Sequence, residues 1–500
     1  MKNSIHILLL VQIFIFTGCP SPDTVKKSLE SITPESQGIS SQAILNFIEA
    51  ADNRHKDELH SFMLLRYGNI IAQGWWAPYN PESPHQLYSL SKSFTSSAIG
   101  IAQDEGLLSI DETVLSFFPD DAPDSISVNL RSMRIRDLLK MNTGHNADAT
   151  GRMRKGGDSW VEGFLALPVE HKPGTHFVYN SAATYMLSAI IQKVTGETLL
   201  KYLTPRLFEP LGISNPSWES DPDGINLGGW GLNIRTKDIA GFGQLYLQKG
   251  NWNGKQLISK EWIEEATSYQ TSNGSNPDSD WEQGYGYQFW LCRHNIYRGD
   301  GAFGQYCIIM PEHDAVIAIT SGTNDMQSIL NLIWEYLLPS FQTNALPEDE
   351  KCYSALQNKL SQLNLSTVTG EKSSPTAFVI SEKPYTMETN DAGIKTIIFD
   401  LSGNDNSFSF TNEEGSQKVP VGYGSTKKGI VSFPQLGEQV VATSGAWTSK
   451  NNYRVKMHLY ETPFFITFDF LFGDNILTVQ GERNVSLGSE AFLQMKGETQ

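Results

Sequence analysis

Ser89-Leu90-Ser91-Lys92 is a short stretch whose residue types and spacing could do chemistry together. Apolar Leu90, Phe94, Ala98 and Ile101 fall on one helical stripe, so residues 89–104 are expected as an amphipathic helix that closes with Gly106. Ser89 then stands in the first turn, and a spacing of three residues puts Lys92 beside it. A lysine buried there has a depressed pKa and can take the hydroxyl proton, while the helix N-terminus favours the developing negative charge. The tetrapeptide is weak by itself. Ser425-Thr426-Lys427-Lys428 has the same form, set between Gly424 and Gly429 in what reads as a solvated turn. A capping serine beside a surface lysine is the alternative reading of Ser89.

Other catalytic signatures are missing. No Gly-x-Ser-x-Gly elbow occurs, which argues against a typical α/β-hydrolase. There is no His-Glu-x-x-His, and His55 and His60 are five apart, off a common helix face. No glycine-rich phosphate loop appears, and the four cysteines (Cys19, Cys292, Cys307, Cys352) lack zinc-ligand spacing. Neither a metal nor a cofactor is therefore expected. His145 and His176 have no sequence link to Ser89 and read as structural. Trp75, Trp76, Trp230 and Trp281 either line a cleft or pack in a core.

The elements that must position these residues fill a long chain. Five hundred residues are too many for one ordinary core, so two folded domains are expected. Lys plus Arg number 38 against 55 Asp plus Glu, a formal charge of −17, which makes nucleic acid an unsuitable partner. Hydrophobic residues at 39% are enough for sizeable cores. Residues 61–72 read as a hairpin turning at Gly68-Asn69. Helical texture fills 89–285, clearest at 238–247 and 260–268, and strand-like runs return at 284–292, 304–310 and 315–321. A helix is expected over 326–338. Strands at both ends with helices between imply an α/β (α+β) domain, an antiparallel sheet packed by terminal helices, over 33–342. A helical connector is expected over 343–370. Short alternating strands between Gly, Asn and Asp turns then make 371–500 an all-β barrel or sandwich.

The N-terminus reads as an address. Lys2 precedes an apolar run from Ile5 to Phe16, and Phe16-Thr17-Gly18-Cys19 follows. The run is short for a bilayer span, so 1–18 is expected as a signal peptide and 19–32 as a linker. Small residues before Cys19 resemble the bacterial lipoprotein cleavage box, which implies lipidation of Cys19 and membrane contact through that anchor alone. The expected location is the bacterial envelope, at the periplasm or cell surface, with secretion after ordinary cleavage as the alternative. Cys292 and Cys307 flank a Gly-rich turn and are read either as a bridge or as buried free thiols.

Around Ser89 stands an ordered series: Gly74-Trp75-Trp76 before it, then Leu107-Leu108-Ser109-Ile110-Asp111 and residues 136–145. Pro173-Gly174-Thr175-His176-Phe177-Val178-Tyr179-Asn180-Ser181, Gly228-Gly229-Trp230-Gly231-Leu232 and Gly301-Ala302-Phe303-Gly304 follow. This series resembles the serine β-lactamase-like family: class C β-lactamases, D,D-peptidases and related esterases and amide hydrolases. The resemblance spans roughly 33–342. It implies that Ser89 is the acylated nucleophile, Lys92 its Ser-x-x-Lys partner, and Tyr179 the tyrosine that relays protons. A tyrosine between two cations is expected to have a lowered pKa and to act as base. The second motif usually ends in Asn; here Ser181 would donate to substrate or lysine, the other reading being a helix cap. The third motif usually offers Lys or His, then Thr or Ser, then Gly. Gly299-Asp300-Gly301 is the nearest match, with Arg298 before it, so Asp300 would repel an anion and suit a neutral or cationic substrate. The resemblance also implies an oxyanion hole made of the Ser89 and Ala302 amides, beside Gly301.

The sequence thus points to an exported serine hydrolase acting on an ester or amide of a small molecule or peptide through an acyl-enzyme on Ser89. Action on β-lactams or cell-wall peptides ranks second. An inactive envelope-binding protein is the alternative of another class.

Overall fold

The computed structural model describes residues 29–54, 58–156, 158–403, 405–433, 437–488 and 493–499. The expected signal peptide 1–18, Cys19 and most of the linker 19–32 lie outside them.

The first domain is built on a sheet whose central strands are, in spatial order, Asn69–Trp75, Glu58–Arg66, Ala315–Gly322, Gln305–Met310 and Tyr297–Gly301, all antiparallel. Every residue of Glu58–Arg66 is buried, because both faces of the sheet are covered. Side chains alternate between two cores, as the twofold period of a strand requires. Met63, Leu65, Cys307, Ile309, Val316 and Ala318 face the helical region. Phe62, Leu64, Tyr306, Ile308, Ile317 and Ile319 face the terminal helices. The hairpin turns at Tyr67-Gly68, both at positive φ, and not at Gly68-Asn69, since Asn69 already pairs with Arg66. Of the run expected over 284–292, only Trp290–Leu291 is strand. The aromatic side chains around it pack by ring contact, with Tyr285 edge-on to Trp290.

The polar helix expected between the domains is Glu350–Ser361, and it is packed rather than free. Its Leu356 and Leu360 join the core that faces Ser41–Asp52, and Ala77 N–H donates to Leu363 O just beyond it.

The C-terminal domain is a single ten-stranded antiparallel meander bent into a nearly closed barrel. Pro384–Met387 pairs with the last strand, Leu493–Glu498, and joins the two halves of the sheet. At the remaining seam Ser432 N–H donates to Gln417 Oε1, 3.2 Å, and Gly422 bridges to Ser444. Ser425 is exposed in a bend, but Lys427 and Lys428 open the strand Lys427–Phe433, Lys427 pairing with exposed Asp405, so the second Ser-x-x-Lys match lies on the solvated surface where a turn enters a strand rather than wholly in a turn.

Candidate active site

Ser89 lies in a tight 3-10 turn, Tyr88–Leu90, that leads directly into the helix Ser91–Asp104. Tyr88 has φ +49°, a conformation that costs a bulky residue free energy and persists only where neighbours hold it. Ser91 Oγ donates to Tyr88 O (2.6 Å) and accepts from Leu232 N–H (3.2 Å), which ties the turn to the Gly228–Leu232 segment. Phe303 meets the Tyr88 ring edge-on at 5.2 Å.

Lys92 is 1% exposed. Its Nζ lies 3.1 Å from Ser89 Oγ, 3.0 Å from Ser181 Oγ and 2.7 Å from Gly229 O. Burial pulls its pKa down to about 7, although Asp148 and Asp300 act in the opposite direction. A Cβ on Gly229 would stand 2.9 Å from Ser181 O and 3.5 Å from Lys92 Nζ, so a bare backbone is needed there to bring the carbonyl to the amine.

Tyr179 is half-buried just before the helix Ser181–Thr195. Its ring stacks on Trp290 at 5.2 Å, Lys92 Nζ lies 5.0 Å from its centroid, and its hydroxyl is within hydrogen-bonding reach of Ser89. The phenol pKa is raised, not lowered as expected between two cations. Burial dominates and the Asp300 carboxylate adds to it, while Arg298 offsets only part. The resting phenol is therefore protonated. Asn180, not Ser181, caps the helix, its Oδ1 accepting from Ala182 N–H at 3.2 Å, which leaves the Ser181 hydroxyl to Lys92.

Asp300 is buried, and its carboxylate is paired with the wholly buried Arg298 at 2.8 Å. Arg298 also donates to Asp280 O and to Cys292 Sγ, so it turns away from the cleft. The expected repulsion of anions by a free Asp300 is thus largely cancelled within the protein. At the position of the cation expected from the third motif stands Gly299, whose Cβ would come within 2.5 Å of Leu90 Cδ1 and 2.6 Å of Ser93 Oγ. Gly301 runs so close that a Cβ would stand 2.0 Å from Leu87 O. The ladder ends at the Gly301–Gln305 pair, so the Ala302 amide lies beyond the sheet pairing, in the turn beside Ser89.

Three participants escaped sequence reasoning: the Gly229 carbonyl, Trp290 and the exposed Asp148. Gly229 sat in a recognised glycine motif; nothing marked the other two. His145 is buried against Thr143 Oγ1 (2.9 Å), and exposed His176 lies 4.4 Å from the His171 ring. Trp76 is core, with Nε1 donating to Asp52, and Trp75 packs on the core. Trp281 lies under the Arg298 guanidinium at 4.5 Å, and Trp230 under that of Arg154 at 5.1 Å. Cys292 and Cys307 are buried free thiols, not a bridge. Among the described residues no cluster of His, Cys, Asp and Glu is suited to a metal ion.

Residues 60–334, more than half of the chain, match the Beta-lactamase family. The chain belongs to that family. As a member it is a serine hydrolase of β-lactamase fold. A 6-aminohexanoate-dimer hydrolase of Paenarthrobacter ureafaciens is 25% identical over 287 residues, spanning 53% of this chain and 73% of that protein. A solved Bacillus anthracis chain, assigned as a 6-aminohexanoate-dimer hydrolase, superposes with TM-score 0.51 at 18% identity over 65% of this chain and 90% of that one. A Bacteroides dorei chain assigned as a β-lactamase gives TM-score 0.50 at 14% identity, over 60% and 99%. These two structures establish the fold of the β-lactamase-like domain.

Proposed function

We propose that this β-lactamase-family protein is an exported hydrolase of neutral esters or small amides, working through an acyl-enzyme on Ser89. The observation that carries this reading is the environment of Lys92. A neutral amine has two N–H donors and one lone pair. Gly229 O and Ser181 Oγ accept the two donors, which turns the lone pair toward the Ser89 hydroxyl. Ser89 O–H gives its proton to that lone pair as Oγ bonds to the substrate carbonyl carbon. The oxyanion that forms is held by the Ser89 and Ala302 amides. Collapse breaks the ester or amide bond, and the leaving group takes a proton delivered from Lys92 through the Tyr179 phenol. Water then attacks the acyl ester, with Lys92 again accepting the proton; the bond from the acyl carbon to Ser89 Oγ breaks, the acid departs and Lys92 returns the proton to Oγ.

Preference for a neutral substrate is supported by the third motif. The strand carries no cation at Gly299, where a Cβ would crowd Leu90 and Ser93, and Arg298 is committed to Asp300, Asp280 and Cys292. The bidentate grip on a β-lactam or peptide carboxylate is therefore lacking on that strand. Export on residues 1–18 with lipid on Cys19 belongs to the same proposal. It is supported by the apolar run before Cys19, while among the described residues no helix is long and apolar enough to cross a membrane.

The test is intact-mass spectrometry after exposure to a fluorophosphonate, followed by turnover of p-nitrophenyl esters, linear amides and penicillins. A single adduct mapped to Ser89 and absent from Ser89→Ala, with ester or amide turnover exceeding penicillin turnover, is the expected outcome. Failure of the folded protein to label would overturn the hydrolytic reading of this site.

A further inference from the structure

The C-terminal barrel is not packed throughout. At one end Tyr385, Phe399, Trp447, Tyr453 and Phe472 fill the interior, and the short helix Pro375–Ile380 lies against them. Ten strands enclose more width than the roughly eight that side chains alone fill. The other end holds a cavity of about 400 Å³, walled by apolar side chains that include Phe410, Ile466, Phe468 and Met495. That volume lies within the roughly 300–1,000 Å³ range of small-molecule sites. Apolar walls left facing water forgo the free energy of burial, about 25 cal/mol per Å², unless something covers them.

Two hydrogen-bond donors interrupt the apolar wall. Asn412 is 4% exposed; its Oδ1 accepts from Glu414 N–H at 2.9 Å, while its Nδ2 has no partner among the described residues. A buried amide left unsatisfied costs about 1–3 kcal/mol, and a ligand acceptor would remove that cost. Arg483, half-buried, places its guanidinium over the Phe464 ring at 4.7 Å and is in no ion pair among the described residues. Strand register puts both donors at the same end. Asn412 closes its strand opposite Gly415, and Arg483 faces Ile466 at the start of the preceding strand, the two ends being linked across the sheet through Thr396, Met387 and Leu493. Asp391, the one carboxylate in the lining, is exposed and screened by solvent, so Arg483 sets the local preference.

We propose that this cavity is a second binding site, for a single-chain aliphatic carboxylate whose tail enters the barrel and whose head meets Arg483 and Asn412. The cavity lies inside the barrel, its Arg483 is linked to the Ser89 turn through Phe464 and Tyr88, and the proposal does not rest on the hydrolytic reading. The test is isothermal titration of the full chain carrying Ser89→Ala with dodecanoate, below its micellar concentration, and with dodecylammonium as the head-group control. One-to-one binding of dodecanoate with a negative heat-capacity change is expected, with dodecylammonium at least tenfold weaker. Arg483→Gln should weaken dodecanoate about tenfold. Val479→Phe, which fills the cavity, should abolish binding. Thermal melts verify that each variant is folded, and Arg483→Gln keeps the test decisive should Val479→Phe unfold. Absence of saturable binding by the folded chain, or equal binding by wild-type and Arg483→Gln proteins, would overturn the proposal. Fluorophosphonate labelling of Ser89 in the parent chain reports on the catalytic cleft independently of either result.

Discussion

Phe464, at the tip of a barrel hairpin, meets the ring of Tyr88 edge-on with centroids 6.3 Å apart, one residue before Ser89. Phe303, one residue after Ala302, touches both rings, at 5.2 and 5.7 Å. The same hairpin is tied down by its backbone: Gln86 N–H donates to Glu461 O (2.8 Å) and Tyr79 Oη to Thr462 O (3.0 Å). A side chain of the second domain thus braces the two turns that carry the candidate oxyanion amides, and both braced residues have positive φ.

Phe464→Ala should consequently slow acylation without unfolding either domain. Aromatic pairs are worth about 0.5–1.5 kcal/mol beyond simple burial, so a loss of roughly three- to tenfold in the labelling rate is expected. Stopped-time fluorophosphonate labelling beside a thermal melt checks it. A normal rate in the variant would mean that the hairpin does not brace the turn.

The rate of acylation should follow the neutral fraction of Lys92. Below about 7 the amine is protonated and cannot accept the Ser89 proton, so the rate should fall about tenfold per pH unit. Above that value it should level off. Single-turnover rates from pH 5 to 9 give the profile, and Lys92→Ala should lose about 10²–10⁴-fold at its plateau. A wild-type profile flat across pH 7 would remove Lys92 from the role of base.

Stability should decline with acid through buried histidines. Burial pulls His85 and His145 from the usual value down to about 4. Above pH 6.5 each is neutral in folded and unfolded chains alike. Between 6.5 and 4 the unfolded chain takes up protons that the native state refuses, so stability is lost as pH falls. Each group contributes about 3 kcal/mol to that loss. Thermal melts at pH 7.5, 5.5 and 4.5 should show it, and His85→Gln should lessen the slope.

Gly301→Ala should be severe. The new Cβ would press on Leu87 O from 2.0 Å, a backbone atom that cannot swing aside. The strand must retreat and carry Ala302 with it. A drop of about 10²-fold in kcat is expected, the usual effect of losing one oxyanion donor. Ester turnover by a variant whose melting is verified measures it.

Much of this architecture was legible before any coordinates. Apolar periodicity marked the helix after Ser89, and strict alternation marked the barrel strands, because both report burial directly. Ser89 and Lys92 could be paired because three residues of helix place them side by side. The Tyr179 pKa was not legible: its sign depends on burial against Trp290 and on Asp300, which are distant in sequence and meet only in the fold. The pairing of Asp300 differs in kind. Its partner Arg298 stands two residues before it on one strand and so on the same face, a pairing that strand period alone allows; what the sequence does not show is that Arg298 is turned inward onto Asp280 and Cys292.

The barrel's first strand, Pro384–Met387, cannot complete its pairing until Leu493–Glu498 has emerged from the ribosome. Such non-local closure is slow to form. The brace behind Ser89 is likewise distant in sequence, since Phe464 follows Ser89 by 375 residues, so the nucleophile turn is made long before the ring that supports it.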